Sequence, residues 1–452
     1  MAADEAKAAP TASEPPSGHI SVVGAAFLGI GAMIGAGIFA LLGEAAVVAG
    51  SAVWLSFLLA GVVTTLLAYN VVRLGIRYPS SGGLIEYLMR GFGNGRLLGI
   101  ASWLGYAAAF VIVCSMVAVS FGSYATSLFV GDDAWSGWDN VFTSLLVVGM
   151  AAINMVGATF VSRVASVMVV VLLGVFAIFV WVTIADVDFD MLAFSTYPGF
   201  SDIIASIALT FFAFLGFGVM TFTVGDLVNP ARELPRAMVL ALGLTTLTYV
   251  LIAIGVFGTL TVDETIAYGE TAIAEAARPA LGDAGFTIMA IAALIATAGA
   301  TNATLFGSTK LTAMLADLGQ FPPFFGRTSR LGRNGGLIIT AGVVLLVANF
   351  VNLSAIASVG SACALVVFLL VGVAGFRRRA ETGANGSIVL AGVAATAVVL
   401  AFFAVDTWQN APETFGAMIG ILLLAVVADF VWKRSRKSPT PPAATSQPTA
   451  AA

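Results

Sequence analysis

Apolar runs recur along nearly the whole sequence, each about 20 residues long and almost free of charge. This is the length that an α-helix needs to cross the roughly 30 Å hydrocarbon core of a membrane. The strands of a membrane barrel would instead alternate apolar and polar residues over about 10 residues. Only 10% of the residues are charged, against about 25% in soluble domains, and the mean hydropathy is +1.01. The pattern therefore predicts an all-α polytopic membrane protein.

Twelve transmembrane helices are predicted from these runs. Their windows are 20–43, 47–72, 97–129, 141–157, 164–184, 203–224, 237–260, 287–311, 337–351, 356–376, 388–405 and 415–432. The break between the ninth and tenth windows, at 352–354, is the shortest. Residues 1–19 and 438–452 are rich in Ala, Pro, Ser or Thr and are predicted to be disordered tails. Prolines lie between the windows and in the tails, so any break within a predicted span must come from glycine.

Charge gives the predicted orientation. With both termini in the cytoplasm, only Arg278 of the 20 Lys and Arg residues falls on the outer side. The outer connections instead carry acids: Asp132, Asp133, Asp139, Asp186, Asp188, Asp190, Asp263, Glu264, Glu270 and Glu275. This separation is what the positive-inside rule predicts for an even number of spans. We expect a multi-pass protein of a prokaryotic plasma membrane with both termini and both tails in the cytoplasm.

Glycines cluster in the first and sixth predicted spans. The first carries Gly29, Gly31, Gly35 and Gly37, and the sixth carries Gly216 and Gly218. Each costs a helix about 1 kcal/mol relative to alanine, so such clusters favour local unwinding. An unwound stretch inside a membrane must line a protein cavity, where free amides favour an anion and free carbonyls a cation. A zwitterion would match such a site. The alternative is that these glycines let helices pack closely, as the Gly31–Gly35 spacing allows.

The two glycine-rich spans lie five spans apart, so they run in opposite directions through the membrane. This relation is typical of an inverted repeat with the binding site between two broken helices. We predict a first repeat at 20–184, a second at 201–376, and two further helices within 386–433.

Four motifs make the sequence resemble the amino acid–polyamine–organocation (APC) permeases. The motifs cover 31–39, 77–83, 211–218 followed by 229–230 and 235–236, and 302–317 followed by Gly319 and Pro322. The resemblance implies the five-plus-five inverted-repeat transporter fold, which is leucine-transporter-like, with twelve transmembrane helices. It also implies a substrate between the first and sixth spans.

The resemblance implies a role for each residue of the site. The substrate carboxylate would bind the amides of Gly35, Ala36 and Gly37, and its amino group the carbonyls of Met33, Phe212 and Leu215. Phe212 would close over the substrate, with Phe211 as the neighbour most easily confused with it. Phe217 could line the side-chain pocket beside Gly216 and Gly218.

Departures from the family pattern narrow the substrate and the driving force. Gly218 stands where many members have Glu, which favours a neutral substrate over a cationic one. The stretch 169–173 lacks the lysine that proton-coupled members often place there. Sodium-coupled relatives of the fold imply a cation site at the carbonyls of Gly31, Ile34 and Ala300 and the hydroxyl of Thr304. Ala303 occupies the place of a frequent second hydroxyl.

We therefore expect a secondary active transporter that moves neutral amino acids by alternating access. The alternatives are a permease for another small organic solute or amine, or a non-transporting sensor or partner subunit of the same fold. An enzyme is not expected, because the sequence offers neither a nucleophile–base pair nor a metal cluster, and His19 is its single histidine. We expect no catalytic residue, no metal and no cofactor beyond possible Na⁺ as coupling ion. The expected partners are the amino acid and membrane lipid, without nucleic acid, and the oligomeric state stays open.

Overall fold

A computed structural model describes residues 20–79, 83–93, 95–131, 135, 137–156, 161–185, 187–327 and 335–435. These residues form helices and turns, without a β-strand among them. The α-helices are α1 (Val22–Ala36), α2 (Ile38–Ala49), α3 (Val53–Arg77), α4 (Gly83–Phe92), α5 (Arg96–Tyr106), α6 (Val113–Phe129), α7 (Trp138–Val156), α8 (Val161–Thr183), α9 (Phe200–Phe212), α10 (Pro230–Phe257), α11 (Val262–Tyr268), α12 (Ala272–Glu275), α13 (Arg278–Asp317), α14 (Gly335–Phe350), α15 (Leu353–Arg377), α16 (Arg379–Thr382), α17 (Gly386–Asn410) and α18 (Pro412–Ser435). The two predicted tails lie outside the described residues.

Nine helical runs within this described part are long and apolar enough to cross a membrane. Three shorter apolar helices, Val22–Gly35, Val167–Thr183 and Gly335–Phe350, coincide with the predicted first, fifth and ninth spans. The all-α membrane fold is thereby confirmed, while the count of twelve spans stays a prediction.

One boundary differs in an informative way from the windows read off the sequence, and the shortest predicted break is present in the structure. The helix of the seventh span begins at Pro230, so Pro235 lies inside a helix and not between helices. The short predicted break between the ninth and tenth windows is present in the structure. Asn352 caps α15 there by accepting a hydrogen bond from the Ala355 amide at 2.8 Å. An N-cap of this kind satisfies an amide that the helix itself leaves without a partner.

Short non-α segments interrupt three of the long apolar runs. Gly50–Ala52 forms a 3₁₀ turn between α2 and α3, with Gly50 at a φ of 52°. Ala107–Ile112 forms a π-helix between α5 and α6. Leu215–Asp226 forms a 3₁₀ helix of 12 residues after α9. π-helical and 3₁₀ stretches within a longer helix often mark functional or hinge regions.

The first and sixth spans form the centre of the bundle. α1 packs against the Leu215–Asp226 segment, α10 and α13. Within Phe200–Asp226, 78% of the most apolar window is buried, against 17% within Pro412–Ser435. The sixth span is therefore internal and α18 peripheral, as expected if the first ten spans form the core of the five-plus-five fold.

The peripheral helix α18 is held by a buried carboxylate. Asp429 is 2% exposed, and one of its oxygens lies 2.8 Å from Lys433 Nζ, without the alignment of a hydrogen bond. Lys433 also donates a hydrogen bond to the Gly95 carbonyl, at 3.0 Å. A Cβ at Gly99 on α5 would overlap the Asp429 carboxylate, so this contact requires glycine.

Candidate functional site

The first span breaks at a single residue. α1 ends at Ala36, α2 begins at Ile38, and Gly37 between them has a φ of −107° and a ψ of −73°. A Cβ at Gly37 would lie 2.7 Å from the Tyr249 hydroxyl and 2.8 Å from the Ala213 carbonyl oxygen. Glycine is required here because the backbone runs directly against its neighbours.

The sixth span breaks at Ala213 and Phe214. α9 ends at Phe212, and the chain continues through tight turns in which the Phe214 amide donates to the Phe211 carbonyl at 2.9 Å. The Phe217 amide likewise donates to the Phe214 carbonyl, at 3.0 Å. Because Ala213 lies against Gly37, the two breaks meet at one point inside the bundle.

Gly216 brings the second break against the end of α1. A Cβ at Gly216 would lie 2.4 Å from the Met33 nitrogen and 2.4 Å from the Ala32 carbonyl carbon. Gly35, one turn from the break, packs in the same way on α13, 2.8 Å from Ala300 Cβ and 2.9 Å from the Ala296 oxygen. These contacts show that the glycines allow close helix packing, which was the alternative interpretation. A ligand role for the same residues stays a prediction.

Most predicted substrate residues are gathered around the two breaks. Met33, Gly35, Gly37, Phe212, Phe217 and Gly218 are buried, and Leu215 and Gly216 are half-buried. Ala36 lies at the first break, where its backbone ends α1. Gly218 faces away from the first break: a Cβ at Gly218 would contact Leu84 on α4, at 3.6 Å.

The rings of Phe212 and Phe211 have different neighbours in the structure. The Phe212 ring packs on α15, where a Cβ at Gly360 would lie 2.5 Å from Phe212 Cζ and 2.6 Å from Ile112 Cγ2. Phe211 makes an edge-to-face contact with Phe368, with ring centroids 5.7 Å apart. Phe217 packs on the same Phe368 ring, at 5.0 Å.

Three of these contact residues were missed by sequence reasoning. Gly360 lies against the Phe212 ring, Ile112 lies against Gly360, and Tyr249 reaches the first break with its hydroxyl. Tyr249 is fully buried, and its hydroxyl donates a long hydrogen bond, 3.4 Å, to the Ala213 carbonyl. None of the three stands in a motif. Ile112 and Gly360 lie far from the breaks in sequence, and Tyr249 lies in α10, the helix after the second break.

The predicted cation ligands are only partly brought together. Ile34 is buried beside Gly35, where α1 meets Ala300 of α13. Gly31 instead faces Val169 on α8, 2.7 Å from its Cβ position. Thr304 is half-buried on α13. Thr301, one turn earlier, is buried, and its hydroxyl has no hydrogen-bond partner among the described residues. The cation site stays a prediction.

Charged side chains lie toward the ends of the bundle. We call the end that carries Glu44, Asp139, Glu270, Glu275 and Arg278 the acidic face. Arg278 pairs there with Glu275, at 2.6 Å, and with Asp283. In the part of the chain that the structure describes, no three His, Cys, Asp or Glu residues form a group that could hold a metal ion.

Glu270 of the acidic face and Glu264 of the neighbouring helix α11 have pKa values shifted in opposite directions. Burial raises the pKa of Glu270 above its ordinary value of 4.5, and the charges of Glu44 and Asp139 add to this, while its own backbone amide opposes it. The pKa of Glu264 is lowered, because its carboxylate accepts hydrogen bonds from the Thr261 backbone amide and hydroxyl in a capping box.

Comparison with known proteins adds family information to this geometry. The sequence profile described as amino acid permease matches residues 20–427. The inner membrane transport protein YbaT of Escherichia coli is 31% identical over 409 residues, which cover 90% of this chain and 95% of that protein. The methylthioribose transporter of Bacillus subtilis is 27% identical over 372 residues, 77% of this chain and 78% of that protein.

A solved structure shows a similar fold. The crystal structure of a mutant of the Eremococcus coleocola manganese transporter matches with a TM-score of 0.58, covering 93% of this chain and 98% of that chain. The two sequences are 12% identical, so this likeness speaks for the fold alone.

Proposed function

Because this chain belongs to the amino acid permease family, we propose that it moves neutral amino acids across a prokaryotic plasma membrane by alternating access. The substrate lies between the two broken spans. The observation that carries this proposal is the contact of the two breaks, where Gly37 and Ala213 meet inside the bundle.

The chemistry of the breaks supports a zwitterion. α2 begins at Ile38, and the first amides of a helix lack partners within it and attract negative charge. α9 ends at Phe212, and the last carbonyls of a helix attract positive charge in the same way. An amino acid carries an ammonium group and a carboxylate on the same Cα, so its two charged groups match the two neighbouring helix ends. In this proposal the carboxylate lies at the first break, on Gly37 and the first amides of α2, with Gly35 and Ala36 flanking it at the end of α1. Met33, Phe212 and Leu215 hold the amino group.

The lining supports a neutral side chain. Met33, Phe212 and Phe217 are apolar and buried, and Gly218 contributes no carboxylate. Burying a charged substrate side chain against these groups without a partner would cost several kcal/mol or more of binding free energy. Neutral amino acids are therefore the proposed substrates.

Orientation and coupling are part of the same proposal. The acidic face is proposed to be extracellular, which puts both termini in the cytoplasm as the positive-inside rule requires. Na⁺ is the proposed coupling ion, held by the carbonyls of Gly31, Ile34 and Ala300 and the hydroxyl of Thr304. The Thr301 hydroxyl on the same helix, which lacks a partner among the described residues, supports a polar environment there.

A ligand screen tests substrate and ion together. The purified protein is heated with each of the twenty amino acids, in Na⁺ or in K⁺ buffer. A ligand that binds the folded state alone raises the midpoint of unfolding, by about 2.7 kcal/mol of stability at one hundred times Kd. We expect stabilisation by neutral amino acids that is larger in Na⁺. Stabilisation by none of them, or by cationic ones alone, contradicts the proposal.

Uptake into liposomes tests the site. We expect saturable uptake of the stabilising amino acid, lost in Gly37→Leu and Gly216→Leu. Gly420→Leu is the matched control, because nothing lies within 4 Å of its Cβ position on α18. Phe212→Ala introduces no clash and should weaken binding; because it removes a buried ring, at a cost of about 3–5 kcal/mol, its unfolding midpoint is measured alongside. Binding that survives unchanged in all three site variants would rule out this site.

A further inference from the structure

The acidic face holds a pair of carboxyls that the proposed substrate site does not use. Glu44 lies on α2 and Glu270 in the Gly269–Thr271 turn, which packs against α2. The preceding residues touch backbone to backbone: a Cβ at Gly43 would lie 2.8 Å from the Gly269 oxygen and 3.0 Å from its Cα. This contact brings Glu44 and Glu270 close enough for the charge of one to act on the other.

The pair has no cation of its own among the described residues. Arg278 pairs with Glu275 and Asp283, and within the described part of the chain no ion pair forms at Glu44 or Glu270. Ser354, at the start of α15, lies beside the Glu44 carboxyl. Two carboxylates in a half-buried setting repel each other when neither has a cation, and the repulsion is relieved when one takes up a proton.

A buried hydroxyl faces the same region. Tyr124 on α6 is fully buried, and its hydroxyl has no hydrogen-bond partner in the described parts of the chain. It lies near enough to Glu270 and Glu275 to be affected by their charges. An unpartnered buried hydroxyl costs stability, so its position points to a ligand or a protonated group that shares this space.

The other titratable groups around Glu270 are mostly acidic. The elements packed against its turn are α2, α6, α11 and α12, and Asp139 on α7 acts on it by charge. The titratable groups on these four elements are Glu44, Cys114, Tyr124, Asp263, Glu264, Tyr268 and Glu275. Because the nearby charges of Glu44 and Asp139 are negative, they favour the protonated form of Glu270, as burial also does.

The loop that carries Glu270 is firmly seated. Ala272, Ala274 and Ala276 are fully buried, and Ile273 is 1% exposed. The segment Val262–Glu275 therefore covers the acidic end of the first span, and any repulsion between Glu44 and Glu270 acts on this contact.

We propose that Glu44 and Glu270 form a proton-binding site on the acidic face, and that the bound proton keeps the Val262–Glu275 segment packed on α2. The site lies apart from the substrate site and adds a further ligand, the proton. If the acidic face is extracellular, as in the proposed function, a low external pH favours the state in which Val262–Glu275 is packed on α2.

The direction of the pH effect follows from the shift at Glu270. A carboxyl with a raised pKa binds its proton more tightly in the folded protein than in the unfolded chain. The stability it contributes is complete below its ordinary pKa of 4.5 and is lost as the pH rises through the raised value. Glu270→Gln keeps the neutral form at every pH.

The test measures the thermal midpoint of the purified full-length protein between pH 4.5 and about pH 8. We expect the midpoint of Glu270→Gln, relative to the wild type, to rise as the pH rises, and Glu44→Gln to show a smaller rise of the same sign. Asp263→Asn, which removes an exposed acid from the same loop, should show no rise. A pH-independent difference for both Glu270→Gln and Glu44→Gln overturns the proposal, as does an equal rise for Asp263→Asn.

Uptake gives a second readout that separates this inference from the proposed function. If liposomes take up amino acid, the pH dependence of uptake between these limits should be reduced in Glu270→Gln. If no uptake occurs but the pH-dependent midpoints appear, the proposed function is wrong and the proton site stands. If uptake occurs and the midpoints do not depend on Glu270 or Glu44, the proton site is wrong and the transport function stands.

Discussion

Gly216 packs directly on the backbone of Met33, so closely that a Cβ at Gly216 would lie 2.4 Å from the Met33 nitrogen. No rotamer relieves such a clash, because both partners are backbone. Gly216→Ala should therefore destabilise the protein by about 1–3 kcal/mol, the usual cost of overpacking a well-packed interior. Thermal or denaturant unfolding of the purified protein measures the change.

The matched control for this prediction is two residues away. Gly218→Ala places its Cβ 3.6 Å from Leu84 Cδ1, an ordinary contact. It should change stability by much less than Gly216→Ala. Equal effects of the two substitutions would show that helix propensity, and not the Met33 contact, decides the cost.

Gly360 on α15 is expected to determine where the Phe212 ring lies. A methyl group at Gly360 would stand 2.5 Å from Phe212 Cζ, so Gly360→Ala should displace the ring from its native position. If the bound state bears about 1.4 kcal/mol of this strain, substrate affinity falls about tenfold. Equilibrium binding of the stabilising amino acid measures this loss.

A double variant separates displacement of the ring from general damage. Phe212→Leu shortens the side chain, so the pair Gly360→Ala and Phe212→Leu should lose less affinity than the sum of the single variants. Residues in contact couple in this way, and distant ones do not. Strict additivity would mean that Gly360 acts through something other than Phe212.

Removal of the lysine partner of Asp429 should destabilise α18. Lys433→Met leaves a carboxylate that is 2% exposed without its cation, 2.8 Å away in the native protein. Breaking a buried pair from one side costs about 3–5 kcal/mol, and the partial exposure of Lys433 puts the expected value at the lower end. Unfolding in detergent measures it. Arg434→Met, an exposed neighbour in the same turn, should change stability little, and Asp429→Asn should restore part of the loss in Lys433→Met.

The sequence was sufficient for the breaks and insufficient for what surrounds them. The prediction that breaks within a span come from glycine is wrong for the sixth span, which breaks at Ala213 and Phe214, while Gly29, Gly31 and Gly35 stay within α1. Because glycine weakens a helix, the presence of one break in each glycine-rich span nevertheless follows from local composition. The separation of Phe212 from Phe211 does not, because adjacent residues of similar character differ only in what the fold places opposite them. Gly360, which lies against the Phe212 ring, and Ile112 beside it are in helices far from Phe212 in the sequence.

Two further features had weak or absent signals. The π-helix at Ala107–Ile112 lies in an unbroken run of Ala, Phe, Val and Ile that is equally compatible with an α-helix. Asp429 stood within a predicted span, and its spacing of four residues from Lys433 indicates a pair. Its burial against Gly99 depends on how α18 meets α5, which no local pattern encodes.

The 3₁₀ segment Leu215–Asp226 has a consequence for length. Its 12 residues at about 2.0 Å each extend over roughly 24 Å, whereas an α-helix of the same residues would extend over about 18 Å. A change of winding in this one segment would thus shift Asp226 by about 6 Å relative to Phe212, without lengthening or shortening the chain. This difference is close to the 5.4 Å pitch of an α-helix. A change of winding within the segment alone could therefore move Asp226 by about one helical turn while Phe212 stays in place.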